Sequence, residues 1–259
     1  MTTLDVTPRP GPAPASRRVV AHARLELTMM LRNGEQLLLT IVLPLGLLIG
    51  LSLTTVVNLG VPDTRQARLD VVVPGMLALA VLSTAFTGLA IQTGFERRYG
   101  VLKRLGATPL SRSGILAGKA VAVLVVEAGQ CVLLAGVGVA LGWRPDGFGL
   151  VLATALIVLG TATFAALGML LAGTLRAEAT LAGANVVYLL LLGAGGIVVP
   201  LSEMPEAAQN WVELLPSAAL ADGLRDACTL GSVSLTSVAV LFGWLVVGAL
   251  ASARWFRWD

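Results

Sequence analysis

Six long apolar stretches constrain the fold of this chain more than any other feature of its sequence. An α-helix rises about 1.5 Å per residue, so about 20 apolar residues cross the roughly 30 Å hydrocarbon core of a bilayer. The stretches cover residues 37–57, 71–93, 120–141, 150–173, 181–199 and 233–253. Charged residues are 13% of the 259 residues, whereas soluble domains have about 25%. We therefore expect an all-α integral membrane fold with six transmembrane helices.

The segment before the first apolar stretch divides into a tail and an amphipathic helix. Residues 1–16 are rich in proline, threonine and alanine, and we expect a disordered cytoplasmic tail there. Residues 16–33 have the period of a helix, with an arginine-rich face opposite an apolar face made of Val19, Val20, Ala23, Leu27, Met30 and Leu31. Such a helix is expected in the cytoplasmic interface, with His22 in contact with solvent or lipid headgroups. The membrane domain then occupies residues 17–259.

The distribution of basic residues predicts the orientation of the chain. Loops on the cytoplasmic side of a membrane carry an excess of lysine and arginine. If both termini are cytoplasmic, fourteen of the 18 basic residues lie inside, and those outside are Arg65, Arg68, Arg144 and Arg225. We therefore expect a multi-pass protein of the bacterial inner membrane with both termini in the cytoplasm.

The most informative segment is the basic loop between the second and third stretches, FERRYGVLKRLGATPLSRSGILAGK at residues 95–119. Basic cytoplasmic loops follow from topology and from contact with anionic lipids, so the charge of this loop is not specific. The order of its residues is more specific, because residues 96–105 can form a short helix parallel to the membrane that ends at Gly106 and Pro109. Its candidate functional residues are Glu96, Arg97, Arg98, Gly100, Leu102, Lys103, Arg104, Leu105, Thr108 and Pro109.

This loop resembles the corresponding loop of the ABC-2 type permeases, and of their drug-export branch in particular, typified by the daunorubicin-resistance permease. The matching groups are residues 96–100, 102–105, 108–111 and 118–119. The connection between the fifth and sixth stretches is similar to the external element of that family, in which two short re-entrant helices break the fifth span. Its matching residues include Pro200, Pro205, Pro216 and Arg225. The chain departs from the family at Leu215, where an asparagine often stands.

The resemblance implies the membrane subunit of an ATP-binding cassette exporter. Its partners would be a second permease subunit, identical or different, and separate ABC ATPase subunits that bind ATP and Mg²⁺. Residues 95–105 would sit in a cleft of the ATPase and transmit its closure. The chain itself lacks a phosphate-binding loop, since residues 113–120 have neither the first glycine nor the closing hydroxyl of that motif. We expect no enzyme activity, cofactor, metal site or nucleic-acid partner in this chain, and contacts with membrane lipids.

Four polar residues inside the apolar stretches are candidates for lining a translocation path: Glu127, Gln130, Asn185 and Tyr188. Glu127 is the most informative, because a lone ionised carboxylate within the bilayer costs about 3 kcal/mol or more. It must therefore face a partner, face a wet cavity, or be protonated. Hydrogen-bonded packing between helices is the alternative role for all four residues.

Three functions remain open at this point. The first is the permease of an exporter that moves a drug, an antibiotic or another amphipathic compound out of the cytoplasm or the inner leaflet. The second is an ABC-2 exporter of a lipid or a polysaccharide, although the few aromatic residues in the spans argue against a glycan channel. The third is an ATP-independent ion-coupled transporter or a membrane enzyme, which would need clustered polar residues in the spans. No motif in the sequence names the substrate.

Overall fold

The computed structural model describes residues 11, 13–54, 59–62 and 64–257. Every regular element in these ranges is helical, which confirms the all-α expectation for the described part of the chain. The α-helices are α1 (Ala15–Arg32), α2 (Gly34–Leu37), α3 (Leu43–Leu53), α4 (Arg65–Val81), α5 (Leu89–Arg98), α6 (Val101–Gly106), α7 (Arg112–Ala140), α8 (Gly149–Thr174), α9 (Ala177–Ala194), α10 (Glu206–Val212), α11 (Pro216–Leu230) and α12 (Leu235–Trp255). Most of the predicted tail lies outside the described residues. Its last two residues, 15 and 16, are helical rather than disordered.

Five helices in the described ranges are long and apolar enough to cross a membrane. They are Arg65–Arg98, Arg112–Ala140, Gly149–Thr174, Ala177–Ala194 and Leu235–Trp255. The predicted first span, residues 37–57, corresponds to a shorter apolar helix, Thr40–Leu53, and its last residues, 55–57, lie outside the described ranges. The structure therefore supports five spans and one shorter apolar helix.

The helix Arg65–Arg98 lies at the centre of the bundle. Its start is capped by Thr64, whose side chain accepts a hydrogen bond from the backbone N–H of Ala67 at 3.3 Å. Every residue from 71 to 90 is buried except Thr87, as expected for a helix that is apolar on all sides. A π-helical turn at Leu82–Gly88 interrupts this helix, and a second one at Leu38–Val42 precedes α3. The main packing partners of the central helix are α3, α7 and α11 on its first half and α8 and α9 on its second half.

Three helix boundaries differ from those expected from the sequence. The prediction of one short helix over residues 96–105 is wrong, because α5 continues to Arg98 and a turn at Gly100, with φ +69°, separates it from α6. α7 begins well before residue 120, because the Ser111 side chain caps it by accepting from the N–H of Gly114 at 3.1 Å. α9 ends at Ala194, because Gly195 and Gly196 leave the helical conformation.

A broken element connects α9 to α12. It consists of a 3₁₀ turn at Leu201–Glu203, then α10, then α11, which packs on α4 and α8. The start of α8 approaches α11 so closely that a Cβ on Gly149 would lie 1.8 Å from the carbonyl oxygen of Ala227. Glycine is therefore required at this position.

α1 packs along α7 with a face that only partly matches the predicted one, since Ala23 and Met30 are buried as expected but Val20 and Leu31 are not. Its buried residues are His22, Ala23, Glu26 and Met30. Val20 and Leu31, which were assigned to the apolar face, are 51% and 54% exposed. The expectation that His22 contacts solvent or headgroups is also wrong, because its ring is buried against Gly118 of α7. A Cβ on Gly118 would lie 2.5 Å from His22 Cδ2, so this glycine permits the close approach of the two helices.

Candidate functional site

The C-terminal end of the long helix Arg65–Arg98 and the residues that follow it carry the first candidate site, residues 96–109. Gly100 reverses the chain in a left-handed conformation that favours glycine, and α6 follows it. Leu102 anchors α6 with 2% of its surface exposed, while Lys103 and Arg104 project into solvent. The Thr108 hydroxyl donates to the carbonyl oxygen of Leu105 at 2.6 Å, which closes the end of α6 just before the exposed Pro109. α6 is thus a short cationic helix that is held at both ends.

Two arginines at the end of α5 fix it to the neighbouring helices. Arg97 donates to the carbonyl oxygen of Ala172 at 2.7 Å and to that of Leu175. Both carbonyls lie at the C-terminal end of α8. The last carbonyl groups of a helix have no hydrogen-bonding partners within it. Arg98 forms an exposed ion pair with Glu178 in the first turn of α9. α5, α8 and α9 therefore share polar contacts at one end of the bundle.

Glu96 belongs to a buried group of five residues that joins three helices, and we call it the charge cluster. Lys119 Nζ of α7 lies 3.0 Å from Glu26 Oε1 of α1 and 2.6 Å from Glu96 Oε2 of α5. Gln92 Nε2 donates to the same two carboxylates, at 2.6 Å to Glu26 and 2.9 Å to Glu96. His22 Nε2 lies 3.3 Å from Glu26 Oε1. One ammonium group and one amide therefore bridge carboxylates from two separate helices.

The burial of the charge cluster makes each of its ions depend on the others. Glu26 and Lys119 are each 2% exposed, and Glu96 is 8% exposed. Removing one partner of such a buried pair typically costs about 3–5 kcal/mol, because an uncompensated charge remains. Burial lowers the pKa of His22, and Lys119 lowers it further, although Glu26 and Glu96 act in the opposite direction. With His22 neutral at pH 7, the cluster holds two carboxylates and one ammonium group.

Sequence reasoning found only part of this cluster. Glu96 and Lys119 were recognised through the pattern of the loop, but Glu26 and Gln92 were not singled out. The available signal for Glu26 was its place between Ala23 and Met30 on the predicted apolar face of α1. A carboxylate on an apolar face indicates a buried partner, and here that partner is Lys119.

Two of the candidate path residues, Glu127 and Gln130, are buried inside the bundle, with 1% and 3% of their surfaces exposed. The Thr161 hydroxyl of α8 donates to Glu127 Oε2 at 2.5 Å. Gln130 accepts from the Thr84 hydroxyl at 2.9 Å and donates to the carbonyl oxygen of Thr40 at 3.4 Å. Thr84 and Thr40 lie in the two π-helical turns, a feature that is frequent at functional sites. Within a single chain, Glu127 and Gln130 therefore take part in hydrogen bonds between packed helices.

The other two candidate path residues, Asn185 and Tyr188, lie on α9, which packs on α5 and α8 rather than on α7. Asn185 is exposed and Tyr188 is half-buried. The face around Asn185 is otherwise apolar, with Val186 and Leu189 56% and 62% exposed. The structure therefore places the four path candidates in two separate pairs.

The broken element between α9 and α12 is organised around Arg225 of α11, which is 8% exposed. Its guanidinium donates to the carbonyl oxygens of Gly196 at 2.8 Å and Ile197 at 2.6 Å, where the chain leaves α9. It also donates to the carbonyl oxygen of Val71 at 3.4 Å and pairs with Asp222 at 2.6 Å. Arg225 therefore satisfies backbone groups that the break after α9 leaves without helical partners.

The three predicted prolines of this element stand where helices begin. Pro200 precedes the 3₁₀ turn, Pro205 precedes α10, and Pro216 is the first residue of α11. Proline fixes φ near the helical value and needs no N–H partner in the first turn, so it favours these positions. Leu215 adopts an extended conformation just before α11.

These features, several long apolar helices and a charged segment at one end, define a multi-pass helical membrane protein. The family model for ABC-2 family transporter proteins matches residues 54–253, and the chain belongs to this family. It is 26% identical over 236 residues to YvfS of Bacillus subtilis (strain 168), which is named as a transport permease, and the match covers 88% of this chain and 92% of that protein. It is 31% identical over 145 residues to DrrC of Mycobacterium tuberculosis, named as a doxorubicin resistance ABC transporter permease protein, over 54% of this chain and 52% of that one.

Family membership identifies the chain as a transmembrane permease subunit of an ABC transporter. In this family the permease is the transport subunit and an associated ABC ATPase is a separate one. The resemblance to drug-export permeases inferred from the loop and the external element is thereby confirmed.

Proposed function

We propose that this chain exports a drug, an antibiotic or another amphipathic compound from the cytoplasm or the inner leaflet of a bacterial inner membrane. ATP hydrolysis on a separate ABC ATPase drives the transport. Support for export comes from the likeness to two permeases, one of which, DrrC, carries doxorubicin resistance in its name. Support for the coupling comes from the cytoplasmic end of the second span.

The observation that carries the proposal is the arrangement of α6. Leu102 fixes this helix to the bundle, and Lys103 and Arg104 leave two positive charges in solvent. Acidic residues of an ATPase would pair with them. Because only the turn at Gly100 separates α6 from α5, a displacement of α6 reaches the central helix of the bundle directly.

We further propose six spans with both termini in the cytoplasm. The chain is helical without a break from Gly34 to Leu53, and about 20 residues suffice to cross the hydrocarbon core. Arg68, at the start of the second span, donates to the carbonyl oxygen of Leu51 at 3.0 Å. This contact places the end of the first apolar helix beside the start of the second, as a short external connection requires.

The translocation path, in this proposal, lies between two permease subunits. An amide such as Asn185 on a lipid-facing surface lacks a hydrogen-bonding partner, which is unfavourable in hydrocarbon. A second subunit, identical or different, would cover the exposed face of α9 and place Asn185 and Tyr188 at the path. Glu127 and Gln130 are buried within one chain, so they would reach the path only when α7 moves.

Co-purification with the ATPase tests the coupling. The tagged chain, solubilised in mild detergent, is expected to retain an ABC ATPase, and Lys103→Glu combined with Arg104→Glu is expected to lose it. The matched control is Arg254→Glu with Arg257→Glu, which makes the same charge change at exposed positions at the end of α12. Absence of an ATPase from the unaltered chain, or equal loss in both variants, would contradict the proposal.

Growth inhibition tests the cargo. Cells that lack the chain are expected to be more sensitive to doxorubicin, or to another amphipathic drug in a panel, than cells that carry it. The Lys103→Glu, Arg104→Glu variant is expected not to restore resistance. Equal sensitivity across the panel would exclude drug export and favour a lipid or polysaccharide cargo.

A further inference from the structure

The helices at the cytoplasmic side form two packing units. α1 packs along α7, and the close contact of His22 with Gly118 lies within this first unit. α5 packs on α8 and α9 rather than on α7, and Arg97 and Arg98 strengthen this second unit. We call them the α1–α7 unit and the α5–α8–α9 unit.

We propose that Lys119 is a positioning residue that ties these two units together, so that a displacement of α6 is transmitted to α1 and α7. The proposal rests on the proposed function, because it assigns the displacement to the ATPase. Its basis is that Lys119 contacts one carboxylate from each unit, Glu26 of α1 and Glu96 of α5.

Lys119 supplies the positive charge in the contact between the two units. Glu26 and Glu96 both lie within 3.0 Å of the same ammonium group and accept from the same Gln92 amide. Two carboxylates so close together repel each other unless a positive charge lies between them. Without Lys119 the same residues would push the two units apart.

The tie would extend the effect of the ATPase to the third span. α6 is joined to α5, and the tie joins α5 to α7 at Lys119. Glu127 follows eight residues later on α7, about 12 Å further along the helix axis. With the tie intact, a movement of α6 acts on both units. Without it, α1 and the start of α7 would follow α6 less closely than the α5–α8–α9 unit does.

A distance measurement between the units tests the tie. Spin labels are attached at Ala21→Cys on α1 and Ala107→Cys just after α6, two exposed positions, in a chain whose native cysteines are replaced by serine. The unaltered cluster is expected to give one narrow distance distribution, in the permease alone and in the ATPase complex trapped with ATP and vanadate. Lys119→Met, which removes the ammonium group, and Glu26→Gln, which removes the charge of its partner on α1, are expected to broaden the distribution at least twofold in the permease alone. On trapping, each is expected to shift the mean by several ångströms.

The matched control is Glu206→Gln, the same chemical change on an exposed external helix, which is expected to leave both distributions unchanged. Lys119→Met combined with Glu26→Gln leaves one carboxylate fewer without a counter-ion, so it decides the question if Lys119→Met alone does not fold. Distributions equal to those of the unaltered chain in both variants would overturn the tie. A shift of the mean distance on trapping in the unaltered chain would contradict the proposal that a displacement of α6 is transmitted to α1 and α7. If no ATPase binds the unaltered chain, the proposed function fails, while the measurement on the permease alone still decides the tie.

Discussion

Two buried cations, Lys119 in the first part of α7 and Arg225 on α11, have different partners. Lys119 contacts two carboxylates from different helices, and its own backbone lies in an unbroken helix. Arg225 contacts three carbonyl oxygens and one nearby carboxylate, and most of these carbonyls belong to the irregular chain after α9. The first cation joins two helix units through side chains, whereas the second replaces missing backbone hydrogen bonds. Charge should therefore matter most at position 119 and donor geometry at position 225.

The largest effect is expected from replacing Arg225. Arg225→Ala leaves the carbonyls of Gly196 and Ile197 and the carboxylate of Asp222 buried without their donor, which should cost about 3–5 kcal/mol in the free energy of unfolding. Arg225→Lys should recover less than half of this, because an ammonium group cannot reproduce the planar fork of a guanidinium. The thermal unfolding midpoint in detergent, followed by size-exclusion chromatography, measures both. A midpoint for Arg225→Lys equal to that of the unaltered chain would show that charge alone suffices here.

Replacing Lys119 should have a somewhat smaller effect that depends on charge. Lys119→Met leaves two buried carboxylates without a counter-ion, so we expect a loss of about 3 kcal/mol. Lys119→Arg keeps the charge and should lose about 1 kcal/mol or less, within the range of volume-conserving changes. Adding Glu26→Gln to Lys119→Met should restore part of the lost stability, because it removes one of the repelling carboxylates. The same unfolding midpoint gives the comparison, and no recovery in the double variant would contradict the pairing.

Gly118 tests the close packing beside the cluster, with Gly129 on the same helix as its control. A Cβ at position 118 would meet His22 at 2.5 Å, whereas a Cβ at position 129 meets nothing within 4 Å. Gly118→Ala should therefore destabilise the protein by about 1–3 kcal/mol through overpacking. Gly129→Ala should be neutral or stabilising by up to about 1 kcal/mol, since alanine favours a helix. Equal unfolding midpoints for the two variants would show that α1 does not approach α7 this closely.

The sequence predicted the helical class and the approximate place of the long helices, because hydropathy reports burial in a membrane. α8 and α12 lie close to the expected intervals 150–173 and 233–253. The sequence failed where three-dimensional contacts decide. Glu26 and Lys119 are 93 positions apart, so their pairing depends on how α1 crosses α7, and no local pattern encodes it. The same crossing buries His22, which was expected to contact solvent or headgroups because the pattern of α1 is typical of an interfacial helix.

The smallest effect is expected at the Arg98–Glu178 ion pair, which also crosses between helices but lies in solvent. The two side chains are 50% and 62% exposed, and ion pairs so exposed contribute about 0–1 kcal/mol, because water and salt screen them. Glu178→Gln should therefore shift the unfolding midpoint by less than Lys119→Met does. Salt at about 0.5 M shortens the Debye length to roughly 4 Å, so it should abolish the shift caused by Glu178→Gln. Salt should leave the effect of Lys119→Met nearly unchanged, because the charge cluster is shielded from solvent. If both variants respond equally to salt, the charge cluster is not buried in the folded protein, and the contrast between the two ion pairs fails.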